Sequence, residues 1–351
     1  MTSVLAESYP GLARSIPRLP IADLPTPVSE HRLSLSTGSF EVAVKHDEIT
    51  STLYGGNKVR KLEYLLMRAR LRKAQRVATF GAAGSNHALA TAIHAAASGL
   101  PCTCFLSHQK VTPNVARTLN MHRKLGTEII RWGGGIDQVA LFRKHLQGRS
   151  AWVIPLGGTC WLGSVGFVNA GLELARQIAA GAIARPNRIY IACGTTGSAA
   201  GLALGIAAAG IDSTVHTVQV ADNPFANEQK MRNLISKTLF ILNRYDPSFQ
   251  ADGWSERIVW RDEFLAGGYA RTNEATEEAA RIAADQLGIA LETTYTAKAL
   301  TAMLHDLETG GGATGQSLFW NTYHSRPLLV PAERPDAQGT IPAEFDRYFE
   351  W

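Results

Sequence analysis

Apolar residues along this chain alternate between two spacings. Short runs with every-other-residue or continuous burial character recur at 40–47, 76–80, 101–106, 128–132, 152–156, 188–193, 215–220 and 256–260, and each predicts a strand. Between them the spacing lengthens to that of a helix, at 59–69, 88–98, 115–125, 228–243 and 276–287. In the first of these Val59, Leu62, Leu65, Leu66 and Ala69 fall on one face and predict an amphipathic helix. Strand, glycine-rich loop and helix follow one another from residue 76 to about residue 220, the signature of parallel sheets joined by crossover helices. Residues 1–30 lack either rhythm. Pro10, Pro17, Pro20, Pro25 and Pro27 punctuate them, and they read as an extended arm.

Composition adds bounds. With 351 residues, 45% hydrophobic and 19% charged, the chain reads as a soluble globular enzyme of one large or two ordinary domains. The net charge of +5 draws on basic residues clustered between Lys58 and Arg76. They interleave with helical apolar positions and carry no aromatic stripe, so a solvated helix face is expected and nucleic acid is not a partner. The four cysteines show no CxxC spacing. Cys102 and Cys104 share a strand face without a third ligand, so buried free thiols are expected and no metal. The first residues lack a basic-then-apolar leader, no apolar run is long enough to span a bilayer, and a cytoplasmic setting without membrane partners follows as the expectation.

Three stretches carry candidate chemistry. In Gly55-Gly56-Asn57-Lys58-Val59-Arg60-Lys61 a lysine stands where flexible backbone enters a helix. The positive end of the helix dipole disfavours an ammonium there, so Lys58 suits a neutral amine or an imine. Burial beside Arg60 and Lys61 would lower its pKa. The segment Gly81-Ala82-Ala83-Gly84-Ser85-Asn86-His87 leads from a strand into a helix. Its amides form a ready anion site, although Ser85 and Asn86 also suit a simple helix cap. A second loop, Gly194-Thr195-Thr196-Gly197-Ser198-Ala199-Ala200-Gly201, again opens onto a helix and suits a phosphate. It is neither GxGxxG with a downstream acid nor GK[ST], so a dinucleotide or ATP site is poorly supported.

GGNKVRKLEYLL, GSNH, IPLGGTCWLGSVGFVNAGLELA, GGYA and Tyr295-Thr296-Ala297-Lys298-Ala299 together resemble the D-cysteine desulfhydrase and 1-aminocyclopropane-1-carboxylate deaminase family. The resemblance runs from about Leu24 to Pro327. It implies a pyridoxal 5'-phosphate (PLP) enzyme of the tryptophan-synthase-β-like fold type II: α/β, two open twisted parallel-sheet domains with flanking helices. A small inserted domain is expected over 60–168, a large PLP-binding domain over 1–59 and 169–351, and a cofactor cleft between them. By the same resemblance Lys58 is the Schiff-base lysine and Lys61 points to the cofactor phosphate. Thr196, Gly197, Ser198, Ala199 and Ala200 line the phosphate cup. Ser85, Asn86 and His87 receive the substrate carboxylate; Asn86 also approaches the pyridine 3-oxygen, and Ser85 matches a proposed nucleophile or proton relay. Tyr269 and Tyr295 match two active-site tyrosines, and Thr322 matches a threonine at the pyridine nitrogen. The resemblance also implies a homodimer.

Departures tilt this picture. Thr296 stands where cyclopropane deaminases carry a glutamate, which favours the desulfhydrase branch: elimination from D-cysteine to pyruvate, ammonia and sulfide. Ring opening of the cyclopropane amino acid to 2-oxobutyrate and ammonia remains an alternative, as do racemisation, dehydration, β-replacement and a non-catalytic PLP-binding protein. Asn321, Tyr323 and His324 replace residues of the family's H-T-G-G, beside the expected cofactor position. The tail after Pro331, ending in 345–351, reads as a docking helix or an intersubunit contact.

Overall fold

The computed structural model describes residues 3–134, 137–310, 315–324 and 341–350. The chain forms two units, Met1–Tyr64 with Thr159–Ser325 and Leu65–Gly158 with Arg326–Trp351.

In the first unit β1 (Val28–Leu35) and β2 (Gly38–His46) form an antiparallel hairpin in which Leu35 faces Gly38. In the second unit β3 (Arg76–Ala82), β4 (Cys102–Ser107), β5 (Glu128–Arg131) and β6 (Ala151–Val153) pair in parallel in the order β5-β4-β3-β6. The first unit then continues with β7 (Arg188–Cys193), β8 (Thr214–Gln219), β9 (Ile258–Arg261) and β10 (Ser317–Asn321). Its sheet runs β1-β2-β10-β7-β8-β9, parallel throughout apart from the first pair. The α/β class with parallel sheets follows from the strand–helix alternation; the hairpin strand β1 is an addition to it.

The order of the larger sheet positions the site. β10, the last strand in sequence among the described residues, lies between β2 and β7. Carboxyl ends of neighbouring parallel strands, where the order departs from the chain order, are where open α/β sheets bind ligands. β2 leads there to Lys58, β7 to Gly194–Ala200, and β10 to Thr322. One face of this sheet packs Val42, Val44, Tyr190 and Phe319 against Ala299, Leu300, Met303 and Ala279 of the helices Thr296–Glu308 and Glu274–Ile282. The helices Trp161–Ala179 and Gly197–Ala208 approach until their backbones touch. A Cβ on Gly205 would overlap Val168 O, and one on Gly201 would overlap Ser164 O.

Several expectations change. The proline-rich arm carries two short helices, Val4–Ser8 and Pro10–Ser15, with Leu5 and Leu12 buried. Gly163 and Gly166 lie inside the helix Trp161–Ala179. Close packing is the role of Gly166, whose Cβ would overlap Arg60 O. The helix Lys58–Leu71 is not one-faced: Lys61, Glu63 and Tyr64 are buried along with Val59 and Leu62. In the second unit a helix unseen in the sequence pattern, Gln138–Leu146, stacks its Phe142 on Phe80 and Phe105. Cys102 and Cys104 are buried there with their sulfurs 3.7 Å apart. The tail, expected with the larger domain, packs its described residues 341–350 on this unit, burying Phe345 and Tyr348; residues 325–340 and 351 lie outside the described residues. Among the described residues no helix is long and apolar enough to cross a membrane.

Candidate active site

The loop after β2 turns on two glycines because no side chain fits. A Cβ on Gly55 would overlap Glu48 O. Gly56 has φ +91° and its Cβ would lie 3.0 Å from Thr322 O. Gly56 N–H donates to Asp47 O at 2.8 Å and Asn57 N–H donates to Thr322 O at 3.1 Å, so the turn is tied to both β2 and β10. The helix then begins at Lys58.

Lys58 Nζ donates to Asn57 Oδ1 at 2.8 Å, and Asn57 Nδ2 donates to Ser198 Oγ at 3.0 Å. One asparagine thereby joins the amine to the second glycine loop. Burial lowers the Lys58 pKa to about 8, with Glu292 opposing the fall. The expected contribution of Arg60 is not found. Arg60 is wholly buried and its guanidinium is consumed by Asp47 (2.8 and 2.7 Å) and Glu173 (2.9 Å), with Lys45 Nζ 2.6 Å from Glu173. Its charge is neutralised where it stands, so desolvation rather than cationic repulsion from Arg60 depresses Lys58.

Lys61, one turn on, does face the other loop. A Cβ on Gly197 would come within 2.9 Å of both Lys61 Nζ and Thr159 Oγ1. Burial, then Lys58, holds the Lys61 amine well below its ordinary range. Thr196 is left-handed at φ 69°, an uncommon conformation for a β-branched residue, and its side chain makes no cap to the helix Gly197–Ala208. That helix start, with Ser198 and the buried Ala199 and Ala200, presents backbone amides beside a lysine.

Gly194 packs against Tyr295, whose Cε1 would stand 3.2 Å from a Cβ there. Tyr295 and Tyr269 meet hydroxyl to hydroxyl at 2.6 Å. Burial raises both phenol pKa values, that of Tyr295 furthest, with Glu292 adding to each. Glu292, which the sequence pattern did not single out, accepts N–H donors from Thr294 (2.8 Å), Tyr295 (2.9 Å) and Thr296 (2.8 Å). It caps the helix Thr296–Glu308 and places a carboxylate in the field of Lys58 and four phenols, Tyr54, Tyr269, Tyr295 and Tyr323. Thr296 turns its hydroxyl onto Glu292 (3.2 Å). A carboxylate four residues before a helix-starting threonine was the available signal. Thr322 is buried at the end of β10, and Tyr54, His324 and Tyr323 stack beside it with centroids 4.0 and 4.5 Å apart.

In the second unit Ser85 is the N-cap of Asn86–Ala97, accepting from Ala88 N–H at 3.3 Å. Gly81 makes room for it: a Cβ would fall 2.6 Å from Ser85 Oγ. Thr79 spends its one hydroxyl proton on Ile154 O (3.0 Å), so His87 Nε2 is the donor in the 2.9 Å contact to Thr79 Oγ1. Asn86 is half-buried at the first turn.

Within the first unit the donor set fits a phosphorylated aldehyde: a half-buried amine near neutrality, and an uncapped helix start beside a second lysine with room only for glycine at Gly197. Residues 21–317 match the family described as pyridoxal-phosphate dependent enzyme. The chain is 34% identical over 298 residues to D-cysteine desulfhydrase of Salmonella choleraesuis (strain SC-B67), covering 82% of this chain and 88% of the relative. A crystal structure of an ACC deaminase homologue superposes with a TM-score of 0.74 at 27% identity, over 92% of this chain and 95% of the other. A hydrogen sulfide-producing enzyme from Fusobacterium nucleatum shares the fold at a TM-score of 0.58 and 16% identity, over 89% and 96% of the two chains.

Proposed function

The chain belongs to the pyridoxal-phosphate dependent enzymes, and on that premise we propose that it is a lyase that eliminates the β-substituent of a small amino acid, D-cysteine foremost, to pyruvate, ammonia and sulfide. The observation that carries the reading is the pair of protonated phenols, Tyr269 and Tyr295, 2.6 Å apart and sharing the field of Glu292 with Lys58.

The cofactor, when bound, supplies an electron sink for the carbanion left at Cα. The residues do the rest. Lys58 would hold the aldehyde, and its free amine takes the α-proton at Nζ; a pKa of about 8 leaves part of it neutral near pH 7. Thr196, Gly197, Ser198, Ala199 and Ala200, with the amine of Lys61, would hold the phosphate through backbone amides and a side-chain nitrogen. Thr322 would offer the cofactor's ring nitrogen a neutral hydroxyl. A neutral partner there, together with Thr296 committed to Glu292, suits departure of a good leaving group such as a thiolate. Tyr295 and Tyr269, both protonated at neutral pH, deliver a proton to that leaving sulfur. Ser85, Asn86 and His87 take the substrate carboxylate, at a helix start whose remaining amides and dipole favour an anion.

The test is a panel of D- and L-cysteine, D-serine and 1-aminocyclopropane-1-carboxylate, read as sulfide, pyruvate and 2-oxobutyrate. Sulfide and pyruvate in equal amounts from D-cysteine are expected. Release of 2-oxobutyrate from the cyclopropane substrate without sulfide from D-cysteine would replace elimination by ring opening. Lys58→Ala is expected to abolish both turnover and the visible absorbance of the bound cofactor.

A further inference from the structure

The loop that carries Ser85 is stitched to the residues after β4, and those residues are in turn gripped by the C-terminal end of the chain. Ala83 N–H donates to Ser107 O at 2.9 Å, and Gly84 N–H donates to Gln109 Oε1 at 3.0 Å. The side chain of Gln109 lies flush on Gly84: a Cβ there would come within 3.0 Å of Gln109 Nε2 and 2.9 Å of Val115 Cγ2. Gln109 is held at both of its backbone groups by one hydroxyl. Its N–H donates to Tyr348 Oη at 2.7 Å, and Tyr348 Oη donates to Gln109 O at 3.1 Å. That donation uses the phenol's only proton, so in the 3.2 Å contact with His108 Nδ1 the imidazole is the donor. Tyr348 and Phe345 are fully buried, and both rings pack on His108, with centroids 5.8 and 5.4 Å from it.

We propose that Tyr348 is a positioning residue for the Ser85-Asn86-His87 loop, acting through Gln109 and Gly84. The inference rests on the reading that this loop takes the substrate carboxylate, and gives the C-terminal segment a part in substrate binding. A glutamine side chain holds a loop amide in one place only if its own backbone is fixed, because its free rotamers otherwise carry the acceptor away. Tyr348 supplies that fixity at both the N–H and the C=O of Gln109. Releasing it frees Gly84, the residue before Ser85, and spreads the loop over several arrangements. A displacement on the order of 1 Å in a group that orients substrate costs up to about 10²-fold in rate or affinity.

The experiment uses the full-length, cofactor-loaded enzyme and three variants, Tyr348→Phe, Gln109→Ala and Gln109→Glu, with D-cysteine as the probe substrate. Tyr348→Phe and Gln109→Ala are expected to raise KM about 10-fold while kcat and the visible absorbance of the cofactor hold. Gln109→Glu keeps an acceptor for Gly84 N–H and should stay near wild type. Amide hydrogen exchange at residues 83–87 should accelerate in the first two variants, a readout independent of turnover. Ser85→Ala, measured alongside, separates the premise from the inference. If Ser85→Ala raises KM while Tyr348→Phe and Gln109→Ala leave both KM and the exchange at 83–87 as in wild type, Tyr348 is a packing residue and the inference is overturned. If Ser85→Ala leaves KM unchanged, the loop's substrate role is lost and the consequence for KM falls with it.

Discussion

Tyr269 and Tyr295 share a hydrogen bond of 2.6 Å between their hydroxyls, and burial pushes both pKa values up. Two phenols in contact, each resisting ionisation, form a donor relay rather than a base: one proton is spent on the partner and the other points onward.

Phenylalanine at either position breaks that relay. Tyr295→Phe is expected to lower kcat for the β-thiol substrate about 10²-fold, the low end of a general-acid contribution, and Tyr269→Phe by less, because Tyr295 keeps its own proton. A substrate with a more acidic leaving group should recover most of the loss in steady-state kinetics. Equal losses for good and poor leaving groups would assign the pair to packing.

Burial brings the Lys58 pKa to about 8, and Glu292 partly opposes the fall. Capture of an aldehyde requires the neutral amine, so reloading of the cofactor-free protein should rise through pH 8. Glu292→Gln removes the anion, disfavours the ammonium and moves that midpoint down, by about half a unit to one unit. The glutamine oxygen can still accept from Tyr295 and Thr296 N–H, while Thr294 N–H loses its acceptor. Absorbance-monitored reconstitution across pH gives the midpoint directly; an upward move would contradict the placement of Glu292.

Gly197 and Gly205 separate cofactor binding from folding on one helix. Gly197→Ala pushes a methyl to within 2.9 Å of Lys61 Nζ and Thr159 Oγ1, and the flexible lysine yields. Weaker cofactor retention by about 10-fold, near 1.4 kcal/mol, is expected in equilibrium dialysis. Gly205→Ala drives a methyl into Val168 O, which is rigid backbone. It should cost about 1–3 kcal/mol in denaturant unfolding instead.

Glu173 links the fold to pH. Burial alone would raise its carboxyl, but Arg60 and Lys45 outweigh that and hold it at about 2, below the ordinary 4.5. A depressed carboxyl stabilises the fold above its unfolded pKa and loses that contribution as pH falls from 4.5 through about 2. The linkage amounts to about 3 kcal/mol. Glu173→Gln leaves two buried cations short of an anion and should destabilise by about 3–5 kcal/mol at neutral pH, with a flatter acid limb in a circular dichroism titration.

The periodicity of apolar positions was enough to place most strands of both sheets, since a parallel strand buried on both faces leaves a continuous apolar run. It missed β1, whose alternation is interrupted by Glu30, His31 and Arg32, β10, which lies beyond the last of those runs, and the helix Gln138–Leu146, which is only 9 residues long. Lys58 and the two glycine loops stood out because glycine marks backbone that must turn or touch, and a lysine after it has few structural reasons to be there. Asn57, Glu292 and the pairing of Arg60 did not, because each acts through residues distant in the chain: Ser198, Lys58, and Glu173.

The order of residues by itself determined the α/β class, the glycine turns and a lysine at the mouth of a helix, all properties of local patterning and residue chemistry. Only the tertiary structure decided that β10 inserts between β2 and β7, that Arg60 is spent on Asp47 and Glu173, and that one carboxylate serves Lys58 and the phenols together. Those are consequences of long-range pairing and burial, and the strength of a charge depends on what surrounds it in space, not on its neighbours along the chain.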